Sequence, residues 1–64
     1  MSVKYPKVME KINEAVRLNQ INESDKMSIL QEVINEYEDD FDDPEKASFH
    51  DILEIAEASG FETI

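Results

Sequence analysis

From Met27 onward the apolar residues fall at Met27, Leu30, Ile34, Tyr37 and Phe41, spaced 3, 4, 3 and 4, and no other feature constrains the fold of this chain as tightly. That spacing is the seam period of packed α-helices; a half-buried strand would repeat every second residue instead. Ile29 and Val33 lie beside the seam and widen the apolar arc to roughly 160° at ~100° per residue. The seam therefore predicts Leu30, Ile34 and Tyr37 in the core, with Phe41 closing it and Ile29 and Val33 on its margin.

Helical punctuation flanks this segment on both sides. Pro6 suits the first turn of a helix, and Val8, Ile12 and Ala15 recur behind it at helical spacing, with Tyr5, Met9 and Val16 on adjoining rows. A first helix is predicted near residues 6 to 19. Asn22 offers an N-cap with Asp25 three residues on, so a second helix is predicted near 23 to 40. The run DDFDDP breaks that pattern, and Asp43, Pro44 and Glu45 read as N-cap, N1 and N2 of a third helix near 44 to 58, with Phe49, Ile52, Leu53 and Ala56 inward. Gly60 is the only glycine, placed where a left-handed residue closes a helix, and Phe61 is expected to fold back on the last turn. Short connections make neighbouring helices antiparallel. The predicted fold is all-α, a small three-helix bundle forming one acidic domain over residues 1–64; a helical hairpin crossed by the third helix is the other arrangement of the same elements.

A chain of 64 residues buries only about 60% of the surface its unfolded form exposes, which leaves no room for a large internal pocket. With no cysteine and a single histidine, His50, thiolate chemistry and any site needing two imidazoles are excluded, and no metal or cofactor is expected. No apolar run approaches the ~20 residues of a membrane span, and MSVKYPKVMEK lacks the apolar stretch of a secretion signal. A cytoplasmic location is expected. A net charge of -10 repels nucleic-acid phosphates and anionic membranes alike, so direct binding to either is not expected, and the natural partner is a protein with a basic surface.

The charge is unevenly placed. Residues 1 to 31 carry five bases against four acids, whereas residues 32 to 64 carry one base against twelve acids. Glu32, Glu36, Asp39 and Asp43 are spaced 4, 3 and 4, which aligns their carboxylates along one edge if the helix persists that far. Asp51, Glu54 and Glu57 repeat the device at spacing three. Like charges at these spacings repel by a few tenths of a kcal/mol, roughly, per pair, a cost that a small domain has little stability to absorb. The acidic residues expected to meet a partner are Glu32, Glu36, Asp39, Asp40 and Asp43. A solvated face that keeps the protein soluble is the bland use of the same residues.

Other constellations carry less. The cluster Asp39, Asp40, Asp42, Asp43 and Glu45 supplies hard oxygen ligands, but a calcium loop needs a glycine at its sixth position and a closing glutamate, and both are missing. His50 stands one turn from Glu54 on a charged face, the setting of a surface histidine rather than of a general base. The serines lack the flanking glycines of a nucleophile elbow, and no glycine-rich loop exists to hold a phosphate. Catalysis is not expected. Helix-turn-helix DNA binders share the size and helix count, but they read DNA with basic residues, and the third segment has only Lys46.

All three apolar arcs are wider than the ~100° a small bundle needs. Leu18, Ile29, Val33 and Ile55 lie at the margins, and Ile29, Val33 and Ile55 are the apolar residues expected to meet a partner or a second copy in a homodimer. The expected function is that of an acidic protein-interaction module, a modulator, inhibitor or adaptor binding through an apolar strip with an acidic rim. The alternative is a nucleic-acid mimic whose carboxylate ladder fills the basic DNA- or RNA-binding site of its target.

Overall fold

Pro6 opens helix α1 (Pro6–Arg17), but Tyr5 at the preceding position provides no side-chain cap. In the computed structural model, which describes residues 5 to 61, the missing cap comes from the far side of the molecule, from Glu45. Residues 1 to 4, part of the segment weighed above as a secretion signal, lie outside the described residues, as do 62 to 64. The second helix starts as a 3₁₀ turn at Glu23–Asp25 and becomes α2 over Lys26–Asp39. Asn22 is extended and its side chain makes no cap hydrogen bond, so the capping expected of it is not formed.

The third segment departs further from expectation. Asp43 does cap, accepting from the N–H of Glu45 at 3.0 Å, but what it caps is a single 3₁₀ turn, Pro44–Lys46. The chain then extends through Ala47 and Ser48 before α3 begins at Phe49 and runs to Ala58. Ser48 and Asp51 form a capping box, with the N–H of Asp51 donating to Ser48 Oγ at 3.1 Å and the N–H of Ser48 donating to Asp51 Oδ2 at 3.4 Å. Burial explains the detour. Pro44 and Ala47 both reach the interior, and Lys11 Nζ donates to the carbonyl of Ala47 at 2.6 Å, tying this connection to α1.

All three helices end in the same way. Beyond each last turn one residue is left-handed: Asn19 (φ 60), Phe41 (φ 54) and Gly60 (φ 89). In each case the following N–H donates five residues back, Gln20 to Ala15, Asp42 to Tyr37 and Phe61 to Ala56, at 2.8, 2.8 and 3.0 Å. The left-handed residue donates to the next carbonyl, which completes three Schellman motifs. Gly60 was expected in this role. Phe41 was expected in the core and is instead 100% exposed, in a conformation that costs an L-residue roughly 1 to 2 kcal/mol.

The helices run antiparallel in sequence. Tyr5 Oη donates to Glu38 Oε2 at 3.0 Å, joining the start of α1 to the end of α2. Tyr37 Oη donates to Asp51 Oδ2 at 3.2 Å and Ser59 Oγ to Glu32 Oε2 at 3.4 Å, which fixes α3 antiparallel to α2. The core consists of Val8, Ile12, Ala15, Ile21, Ile29, Val33, Ala47, Ile52 and Ala56. Leu30, Tyr37, Phe49 and Leu53 pack around it half-buried, and Ile34 is also only half-buried.

This rotates α2 by about one residue, ~100°, from the predicted seam. Ile29 and Val33, placed above at a partner interface, are fully buried and offer no surface to a partner. Short β-branched side chains suit the line where helices approach most closely, while the longer Leu30 and Tyr37 reach inward from the flank. The two ends of the seam, Met27 and Phe41, lie in solvent.

Candidate functional site: an acidic groove between the second and third helices

Where the antiparallel helices α2 and α3 meet, side chains from both line a trough. Its volume is about 440 Å³. Tyr37 comes from the flank of α2, and Ile55 and Ala58 from successive turns of α3, giving it an apolar floor. Around that floor stand Glu36, Asp40 and Asp42 from α2 and its close, and Asp51 and Glu54 from α3. Among the described residues no basic side chain lines it; Lys46 Nζ lies outside, 3.6 Å from Asp42 Oδ1.

The hydrogen-bond network fixes the protonation of the inner end. Asp51 is held below its ordinary range, first by the backbone N–H and hydroxyl of Ser48 and further by the hydroxyl of Tyr37. Partial burial, then the charge and hydrogen bond of Asp51, push Tyr37 above the usual phenol value. At neutral pH the pair is therefore a carboxylate accepting a phenol hydrogen bond, and the five acids that line the trough outnumber the one ammonium beside them, Lys46 at Asp42. Such a surface raises the local concentration of cationic groups. A larger depression, about 540 Å³, follows the outer face of α1 past Met9, Glu10 and Arg17, but there the charges are of both signs and Arg17 pairs with Glu14.

Of the acids named from the sequence, Glu36 and Asp40 line the groove. Glu32 stands at its far end through the contact with Ser59. Asp39 is exposed on α2 and does not line the groove, and Asp43 lies beyond the end of α2, so the four-carboxylate edge is cut short and Asp43 serves the 3₁₀ turn. Of the apolar residues, Ile55 lines the groove, whereas Ile29 and Val33 are in the core. Sequence reasoning missed Tyr37 and Asp42 as groove residues and noted Asp51 and Glu54 only as a second acidic row. The signal was present in the pairing of two rows, Glu36 with Asp40 and Asp51 with Glu54, which antiparallel helices bring face to face.

His50 is exposed, with Nε2 3.2 Å from Glu54 Oε2 and, among the described residues, no second partner for acid–base chemistry. Among the described residues no group of three or more acids and histidines converges on a position that would hold a metal ion. No helix among them is long and apolar enough to cross a membrane. Comparison with protein-family models, with curated proteins and with solved structures gave no match to this chain.

Proposed function

We propose that the chain is a small acidic protein-interaction module, acting as a modulator, inhibitor or adaptor rather than as a catalyst, and that it binds a basic surface of a partner protein through the α2–α3 groove. The observation that carries this reading is the groove's composition: among the described residues, five carboxylates and no base around Tyr37, Ile55 and Ala58. Carboxylates steer a cationic partner and set its orientation, while the apolar floor supplies contact area that salt does not screen. A domain of 64 residues has little to offer except a surface, and this is the part of it where charge and apolar exposure coincide.

The test is affinity capture from extract of the native cell, eluted in salt steps, with wild-type protein beside a variant carrying Ile55→Ser. A partner retained through moderate salt by the wild type and lost by the variant supports the reading. Complete elution between about 50 and 200 mM salt, indifferent to Ile55→Ser, would instead mark the carboxylates as a stand-in for nucleic-acid phosphates.

A further inference from the structure

We propose that Phe41 is the partner-facing anchor of this module, held out between Asp40 and Asp42 for a helix that carries an apolar stripe flanked by lysine or arginine and lies along the α2–α3 groove. The proposal rests on the reading of that groove as a protein-binding site and adds the chemistry of the occupant.

Folding does not account for a phenylalanine at position 41. The three helix closes are geometrically equivalent, and their left-handed positions hold Asn19, Phe41 and Gly60. Asn and Gly tolerate that conformation; a bulky side chain there is an outlier. At the end of α3 the chain also places an aromatic to advantage. Glycine takes the left-handed position and Phe61 follows it, folding back half-buried against the core. At the end of α2 the order is different: the aromatic takes the left-handed position itself, an acid follows it, and the ring is 100% exposed. The fold bears a backbone cost and a solvation cost at one residue and receives no packing in return.

The surroundings define what would cover the ring. Asp39 and Asp40 precede it, Asp42 and Asp43 follow, and Asp40 and Asp42 also line the groove. An anionic lipid surface or nucleic acid with its phosphates is repelled, and a second copy brings its own net charge of -10. A cationic surface with an apolar centre is complementary to both features. The groove spans α3 from Asp51 to Ser59, about 12 Å at 1.5 Å per residue, so it holds roughly two turns of a docked helix. Phe41 does not itself line the groove but stands in the chain between two residues that do, so the next turn of the docked helix meets its exposed ring, which offers a face to a guanidinium.

The probe is a dye-labelled helical peptide with leucines on one face and lysines and arginines on its flanks, read by fluorescence anisotropy at physiological salt against the full chain. A scrambled peptide of the same composition keeps the charge and removes the stripe. Phe41→Asn retains a residue suited to the left-handed close, Phe41→Trp retains an aromatic, and Ile55→Ser alters the groove at a side chain that also packs half-buried against the core, so its melt is recorded to show that it is folded when binding is read. The expected results are a melting temperature raised by about 4 to 8 °C in Phe41→Asn, about tenfold weaker peptide binding by that variant, and near wild-type binding by Phe41→Trp. Wild-type binding by Phe41→Asn, with loss in Ile55→Ser, overturns the anchor and leaves the groove reading standing. Equal binding of the striped and scrambled peptides overturns both. A lower melting temperature in Phe41→Asn, or light scattering that finds a dimer dissolved by the same change, overturns the anchor by giving the ring to the fold or to a second copy.

Discussion

The carboxylate of Glu45 caps a helix to which it does not belong: its Oε2 accepts from the N–H of Val8 at 3.0 Å and its Oε1 from the N–H of Lys7 at 3.3 Å. Lys7 and Val8 are the second and third residues of α1, whose N–H groups have no partner within the helix. Their usual partner is a serine or aspartate one position before the helix, and Tyr5 stands there instead. A negative charge at the positive end of the helix dipole adds to the two hydrogen bonds. The 3₁₀ turn at Pro44–Lys46 is the device that delivers this carboxylate, which gives a physical reason for the turn to interrupt the expected third helix.

Glu45→Ala should therefore destabilise the fold by about 1 kcal/mol, the usual cost of a lost cap. Glu45→Gln keeps one acceptor and loses the charge, so its effect should be smaller. Thermal melts rank the three proteins, and hydrogen exchange at the amides of Lys7 and Val8 locates the change. If those two amides exchange no faster in Glu45→Ala than in the wild type, the cap does not operate.

The burial of Ile29 and Val33 sets a second expectation. Ile29→Ala should cost about 2 to 5 kcal/mol, on the order of the whole stability of so small a domain, and leave the chain largely unfolded. Val33→Ser should do the same, because it also buries a hydroxyl. Leu30→Ala removes a side chain that is only half-buried and should be milder. The check is the order of the three by circular dichroism, and a Leu30→Ala variant that unfolds first would place the predicted seam back at the core.

These assignments separate what periodicity can decide from what it cannot. Helix number, the antiparallel order and the left-handed Gly60 were legible because each depends on residues adjacent in sequence. The rotation of α2 was not, since a 160° apolar arc fits many orientations and only packing against α1 and α3 selects one. Asp43 before Pro44 was legible as a cap, whereas the capping box of Ser48 and Asp51 that starts α3 was not read from the sequence, and both cap. The role of Glu45 depends on a contact between residues 37 positions apart, beyond the reach of any local rule. For the groove, Glu36, Asp40 and Ile55 were legible as a charged row and an apolar margin, whereas Tyr37 was assigned wholly to the core although it serves both.

The Tyr37–Asp51 pair makes stability depend on pH at both extremes. Asp51 is held below its ordinary value of 3.8, so its contribution is present above that pH and is lost as pH falls through the lower, folded value. Tyr37 is held above its ordinary value of 10.0, so its contribution is present below pH 10.0 and is lost as pH rises through the higher, folded value. Tyr5, raised chiefly by its hydrogen bond to Glu38, adds to the alkaline limb with the same sign. Tyr37→Phe should flatten the alkaline limb and Asp51→Asn the acid one, as followed by melts across pH. An alkaline limb identical in Tyr37→Phe and wild type would remove Tyr37 from this account.

The carboxylates of the groove should act on how fast a partner arrives more than on how long it stays. Glu36 and Asp40 face Asp51 and Glu54 across the apolar floor, and charges at the rim of a contact govern steering, which salt screens over a Debye length of about 10 Å at 0.1 M. Converting Glu36, Asp40 and Glu54 to their amides should therefore slow association with the leucine–lysine peptide several-fold and flatten its salt dependence, while leaving the dissociation rate nearly unchanged. Neutralising Asp39 and Glu57, which are exposed but do not line the groove, removes charge from the same helices without touching the site and should have the smaller effect. Asp51 is kept out of the comparison because its carboxylate also caps α3. Relief of like-charge repulsion along α2 should leave the triple variant melting no lower than the wild type. Stopped-flow measurements at two salt concentrations decide the matter: if the two variants slow association equally for each charge removed, the acids act only through net charge, and the binding specificity resides in Tyr37, Ile55 and Phe41.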